Sequence, residues 1–205
     1  MPCWAVGAQI CALNWQSFDA ALQLNEALFF GTPGYVLKPA PLRAGGCGLV
    51  ANPFAPRRRL VLHIAGATDV PLPADTSPAD FRPYVTCSLL HPELSAPVKR
   101  KTRPYHQHRV GFLHRGENPP PTDPIWRETL EWAFDDNELV FLRILLKHDK
   151  SFARNPKVAV AAVRLLYLEG AGTGWRFVDM FDLKGRPTAC TLLVKFDIFD
   201  VQPKI

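Results

Sequence analysis

Residues 126–134 read WRETLEWAF, and this stretch decides the fold. Trp126, Leu130, Trp132 and Phe134 stand on one side of a period-two alternation, with Arg127, Thr129 and Glu131 on the other. Successive side chains of a strand point to opposite faces, so the pattern is a strand with one face in a core. Leu192, Val194, Phe196 and Ile198, opposite Thr191, Lys195 and Asp197, repeat it in the run 189–199. Outward from these two, six more runs have the same character: 59–66, 83–90, 97–103, 139–147, 157–165 and 175–181. Their spacing is irregular, and loops containing proline and glycine separate them. Eight short strands so punctuated predict a mainly β fold, an antiparallel sandwich.

Composition agrees. Of 205 residues, 47% are apolar, enough for a packed core, and 21% are charged, which excludes wholesale disorder. Twenty prolines require many loops and short elements, because proline is poorly tolerated inside helices and central strands. A net charge of +5 suggests an anionic partner without naming it. The five cysteines, Cys3, Cys11, Cys47, Cys87 and Cys190, are odd in number and contain no Cys-x-x-Cys pair. That argues against a disulfide framework or a zinc ribbon and for reduced thiols in a cytosolic protein. No run of apolar residues is long enough to span a membrane. Met1–Leu13 is apolar but lacks the basic leading segment of a secretory signal.

The first forty residues have another pattern. Gly7–Leu13 (GAQICAL) reads as a short buried strand. Asn14–Ser17 offer helix caps, and Asp19 falls in the first turn. Phe18, Ala21, Leu22, Leu28 and Phe29 recur at helical spacing, and Gly31 is placed to end the helix. Gly34–Lys38 (GYVLK) then reads as a second strand. Strand, helix, strand is one unit of a parallel α/β sheet, too small to fold alone. Residues 39–59, rich in proline and glycine and ending in Arg57-Arg58-Arg59, read as a connection.

These residues carry a family resemblance. The run Gly7, Gln9, Ile10, Ala12, Leu13, Asn14, Trp15, Gln16, then Gln23-Leu24-Asn25, then Gly34–Pro39, resembles the close of the catalytic barrel in eukaryotic phosphoinositide-specific phospholipase C. In that family a C2 domain follows directly. RLVLHIAGA, RPYVTCSLL, DPIWRETLEWAF, ELVFLRILLKHD and the closing GWRFVDMFDLKGRPTACTLLVKFDIF are similar to its strands. The resemblance implies residues 1–43 as a remnant of the Y-box half of a TIM-like barrel, 44–58 as linker and 59–200 as an eight-stranded C2-type β-sandwich. It further implies phosphodiester hydrolysis of phosphatidylinositol 4,5-bisphosphate in lipid signalling, at a cytoplasmic site peripheral to membranes.

The family's chemistry uses two histidines for proton transfer and a calcium ion held by an Asn and carboxylates. None of these positions has a match here, so the resemblance implies no catalytic residue and an inactive chain. Of the six histidines, His63 alternates with apolar residues in a strand, and His91, His106, His108 and His114 fall near loops or strand ends. His106-x-His108 has no third metal ligand at a recognised spacing.

Many C2 domains also hold calcium at one tip through convergent aspartates. Here Arg82-Pro83-Tyr84-Val85 puts a cation where the motif has an aspartate, and the Asp-x-Asp after the fifth strand becomes His148-Asp149-Lys150. The later Asn-Asp region reads Asn155-Pro156, while Asp69, Asp75 and Asp80 remain in the first loop. No metal site and no cofactor is therefore expected in this chain, although family catalysis uses calcium.

One basic stretch remains. Lys99, Arg100, Lys101, Arg103 and Arg109 occur with His106 and His108, and no acid lies between Glu93 and Glu117. Lys99, Lys101 and Arg103 would share a strand face and attract anionic headgroups at about 1 kcal/mol per charge. The alternative is a solvated edge strand, protected by its lysines from pairing. Nucleic acid is not expected, since no aromatic motif accompanies the charge. Trp126 and Trp132 are expected in the core, and Trp4, Trp15 and Trp175 are expected to pack. Three readings stay open: part of a phospholipase C, a calcium-independent C2 module binding anionic membranes or a protein partner, or a chain completed by a separate barrel portion.

Overall fold

A computed structural model describes residues 2–46, 55–108, 118–150, 155–170 and 174–201. Among these residues there are eight antiparallel strands: β1 (Arg57–Thr68), β2 (Pro83–Leu90), β3 (Val98–Lys101), β4 (Ile125–Asp135), β5 (Phe141–His148), β6 (Lys157–Arg164), β7 (Trp175–Phe181) and β8 (Pro187–Asp200). They run in the order β3-β2-β5-β6-β7-β8-β1-β4. A single pair, Val160 with Phe181, joins β6 to β7, so the sheet folds there into two layers of four strands.

The inward positions fill the space between the layers. Leu60, Leu62, Ile64, Val85, Cys87, Leu89, Leu142, Ile144, Leu146, Leu192 and Val194 are essentially inaccessible to solvent. Burial of each aliphatic chain contributes about 1.5–3 kcal/mol. The two core indoles also tie the layers together. Trp126 Nε1 donates to the Pro83 carbonyl at 3.3 Å, and Trp132 Nε1 donates to the Val98 carbonyl at 2.9 Å. In β4 the alternation skips Glu128 because the β1–β4 register shifts between Ile64 and Gly66, and Arg127 takes φ 51°. This is a bulge, with one extra residue in β4.

The amino-terminal segment differs from expectation. Residues 7–13 and 34–38 are not strands. Among the described residues no neighbouring strand is there to pair with them, and an unpaired extended segment has nowhere to place its ladder hydrogen bonds. Ile10 and Tyr35 are correspondingly 92% and 86% exposed. The expected strand–helix–strand unit is thus a lone helix between irregular segments, preceded by the single turn α1 (Pro2–Ala5).

That helix, α2 (Ala20–Phe29), is capped by Asp19 itself rather than by Asn14–Ser17. Asp19 Oδ1 accepts from the amides of Ala21 and Leu22 at 2.9 and 3.1 Å. Gly31, at φ +68°, ends it with the left-handed residue that glycine adopts most readily. α2 lies on the outer face of β5 and β6. Leu24, Ala27 and Leu28 pack against Leu139 and Phe141, and Trp4, Val36 and Leu42 join the same cluster. Arg143 Nε donates to Gln23 Oε1 at 2.6 Å across this contact. The helix therefore covers one layer of the sandwich instead of belonging to a parallel sheet.

Of the tryptophans expected to pack, Trp4 does. Trp15 is 69% exposed, and Trp175, 55% exposed, has only its ring contact with His63, at 6.5 Å, among the described aromatic pairs. No helix among the described residues is long and apolar enough to cross a membrane.

Candidate membrane-docking surface

β3 is four residues long and lies at an edge of the sheet. Its pairing with β2 sets which way each cation is carried. Lys99 stands opposite Ser88, Arg100 opposite Cys87, and Lys101 opposite Thr86. Cys87 belongs to the core, so Lys99 and Lys101 share the outer face while Arg100 is on the other side. Arg100 there lines a groove of about 490 Å³ with Arg59, Thr129, Glu131 and Trp132, in the opening between β3 and β4. All three cations are exposed, and among the described residues no carboxylate pairs with them.

Arg103 is a different case. β3 ends at Lys101 and Thr102 turns inward, 1% exposed, its hydroxyl accepting from the Val85 amide at 3.0 Å. Arg103 therefore does not share a strand face with Lys99 and Lys101. Its Nε lies 3.3 Å from Glu128 Oε1, and its amide donates to the same oxygen at 3.1 Å. The carboxylate absent from the neighbouring sequence arrives from β4 and offsets this charge. Arg109 and His114 lie outside the described residues. His108 is held by its backbone, with its amide donating to Asn118 Oδ1 at 2.8 Å.

One end of the sandwich gathers the loops after β1 and β5 around a cavity of about 320 Å³. Asp75, Thr76, Asp80, Arg82, Asp149 and Lys150 line it, with His148 at its wall. Two of the three carboxylates here already have partners. Asp80 Oδ2 accepts from Ser77 Oγ at 2.7 Å, and Asp149 Oδ1 accepts from Asn155 Nδ2 at 3.1 Å. Asn155 Nδ2 also donates to the Tyr84 hydroxyl at 2.9 Å. Two cations, Arg82 and Lys150, share the cavity with them. A hard cation needs several free carboxylate oxygens converging, and this donor set does not fit one.

His148 is 3% exposed, with its ring 5.3 Å from that of Phe81 and its Nδ1 accepting from the Arg82 amide at 3.2 Å. Burial, and then the charge of Lys150, lower its pKa from the usual histidine value. His63 is a rim residue. Its Nδ1 lies 2.9 Å from Thr129 Oγ1 and its Nε2 3.2 Å from Asp197 Oδ2, while Lys195 Nζ holds the same carboxylate oxygen at 2.8 Å. Among the described residues no cluster of three or more metal-ligating side chains occurs.

One surface was not read from the sequence. Trp175, Phe177 and Phe199 are all more than half exposed on β7 and β8. The signal was available in the period-two spacing of Trp175 and Phe177, but alternation alone does not say which face is covered.

Comparison with known proteins brings both halves of the chain together. Residues 1–41 match the family model "Phosphatidylinositol-specific phospholipase C, Y domain". Human 1-phosphatidylinositol 4,5-bisphosphate phosphodiesterase eta-1 is 29% identical over 88% of this chain, which spans 11% of that enzyme's length. The phosphodiesterase 1 of Candida albicans is 53% identical over 21% of the chain and 4% of its own length. Among solved structures, a C2 domain of a plant extended synaptotagmin 1 superposes at a TM-score of 0.52, with 13% identity, covering 72% of this chain and 98% of that one. That likeness is one of fold alone, and it identifies the sandwich as C2-type. With a Y-domain segment running into a C2-type sandwich, the chain matches the phosphoinositide-specific phospholipase C family in the part that pairs the end of the Y domain with the C2-type domain.

Proposed function

We propose that this chain is the membrane-docking portion of a phosphoinositide phospholipase C, acting in the hydrolysis of phosphatidylinositol 4,5-bisphosphate, and that it catalyses nothing by itself. The observation that carries the docking role is the exposed trio Lys99, Arg100 and Lys101 on edge strand β3, with no described carboxylate paired to it. Unpaired cations on a short exposed strand attract anionic headgroups and lose that attraction as salt screens them. Docking is peripheral, at a cytoplasmic membrane surface, and calcium-independent. The latter reading rests on Arg82 and Lys150 sharing the tip cavity with carboxylates already bonded to Ser77 and Asn155.

Co-sedimentation of the full chain with vesicles tests this. Binding is expected to vesicles containing phosphatidylserine or phosphatidylinositol 4,5-bisphosphate, unchanged by a calcium chelator and weakened by salt. Equal binding to phosphatidylcholine vesicles overturns the electrostatic reading. A stoichiometric calcium signal at micromolar concentration in calorimetry overturns calcium independence, and inositol phosphate release by the chain alone overturns the non-catalytic reading.

A further inference from the structure

We propose that the cavity between the loops after β1 and β5 binds, without calcium, a phosphate ester that also carries an ammonium group. None of its residues belongs to the β3 trio, so the site holds or fails independently of that strand's docking role.

Strand pairing places the two cations. Pro83 stands opposite His148 in the β2–β5 ladder, so Arg82 and Lys150 flank that ladder at one end, where the Asp149 amide donates to the Arg82 carbonyl at 2.9 Å. Both cations line the cavity. Arg82 is half-buried and Lys150 exposed, and no hydrogen bond or ion pair joins either charged group to another described residue. A partly desolvated guanidinium calls for an anion, and its planar fork matches two phosphate oxygens.

Two neutral donors stand beside them. Thr76 lines the cavity and is 9% exposed, and its hydroxyl is closed off from solvent with no hydrogen-bond partner among the described residues. Such a group is costly unless something accepts from it, and a seated phosphate oxygen is the acceptor it lacks. His148 Nδ1 accepts from the Arg82 amide, so the neutral ring that burial favours carries its proton on Nε2. That N–H also lacks a partner among the described residues.

The acids define the rest of the ligand. Asp80 and Asp149 accept from Ser77 and Asn155, whereas the exposed Asp75 carboxylate has no partner among the described residues. A simple anion would meet these carboxylates, and a simple cation would meet Arg82 and Lys150. A ligand of both signs suits each: phosphate on Arg82 and Lys150, with Thr76 and His148 Nε2 donating, and ammonium on Asp75. About 320 Å³ accommodates such a group. The headgroup of phosphatidylethanolamine and its soluble phosphoethanolamine esters share this chemistry.

Calorimetric titration of the full chain with glycerophosphoethanolamine, in the presence of a calcium chelator, tests the proposal. One saturable site is expected. Glycerophosphoglycerol, a matched diester without an ammonium group, should bind about tenfold more weakly, and Asp75→Asn should erase that difference. Lys150→Gln should weaken glycerophosphoethanolamine about tenfold with the thermal midpoint unchanged, since Lys150 is exposed. Lys99→Glu with Lys101→Glu should leave this titration as it is. Vesicles separate the two sources, and either result supports the site. A lipid ligand makes phosphatidylethanolamine strengthen adsorption to phosphatidylcholine vesicles in the parent but not in Lys150→Gln; a soluble ligand binds in calorimetry with no such gain. No saturable binding, equal binding of the two diesters, or binding unmoved by Lys150→Gln overturns the proposal.

Discussion

At the scale of single residues, the turn between β7 and β8 shows how one position ties the amino-terminal segment to the sandwich. Gly185 has φ +81°, and a Cβ there would lie 2.9 Å from Phe18 Cδ2. The Phe18 ring itself packs 6.0 Å from Phe181. Gly185→Ala should therefore lower stability by about 1–2 kcal/mol, through strain and contact together. Equilibrium denaturation should show the loss halved or better in a Phe18→Ala background, since only the backbone component remains. His148 makes a second prediction. The fold favours its neutral ring, so the unfolded chain binds protons more readily. Its contribution is fully present above the ordinary histidine pKa of about 6.5 and is lost as pH falls below it, levelling off once the folded ring also protonates. His148→Gln, which retains an acceptor for the Arg82 amide, should flatten the acid limb of the thermal midpoint between about pH 6.5 and 5. An acid limb as steep as the parent's would assign the pH dependence to other groups.

At the scale of elements, what was legible in the sequence follows from what each pattern encodes. Residues 83–90 and 175–181 are strands with the expected bounds, and β4 and β8 extend the expected runs by one or two residues at each end. In β4 and β8 alternation and burial agree, so periodicity reports the fold, whereas β2 is buried on both faces and β7 turns Trp175 and Phe177 to the solvent. Residues 7–13 and 34–38 have the composition of strands but no ladder partner among the described residues, and composition cannot supply one. Asn14–Ser17 are reasonable caps by residue type, yet Asp19 is the one whose carboxylate meets the free amides of α2. In the basic stretch the sequence shows the charges and, by period two, that Arg100 faces away from Lys99 and Lys101, but not Glu128, which reaches Arg103 from another strand. That contact is a long-range fact of register, invisible to local reading. The cap itself is testable. Asp19→Ala should cost about 1 kcal/mol by loss of two amide hydrogen bonds, measured by denaturation of the full chain. Because α2 covers Phe141 and Leu139, the same variant should quicken hydrogen exchange in α2 before that of β1 and β8.

At the scale of the whole molecule, charge is unevenly neutralised, and that unevenness sets the docking face. Along β1 the arginines are answered from neighbouring strands: Arg57 meets Asp135, Arg58 meets Asp136 and Asp200, and Arg59 meets Glu131. Across the opening of the sheet, Lys99, Arg100 and Lys101 receive no such answer among the described residues, and no described strand lies beyond β3 to supply one. Three positive charges without a described carboxylate partner therefore sit together where the sandwich has an edge. Exposed pairs contribute little to stability, so altering these residues should leave folding nearly unchanged and act on association instead. Lys99→Glu with Lys101→Glu, both on the outer face, should weaken binding to phosphatidylserine vesicles about thirtyfold or more at moderate salt, at about 1 kcal/mol per lysine removed. Arg103→Gln should cost less than either lysine substitution, because its charge is already shared with Glu128. The salt dependence should shallow in the double variant and stay nearly parental in Arg103→Gln, as a vesicle titration across ionic strength would read. If Arg103→Gln proves the most damaging, the anion-attracting surface lies beyond the end of β3 and the outer-face lysines serve only to protect its edge.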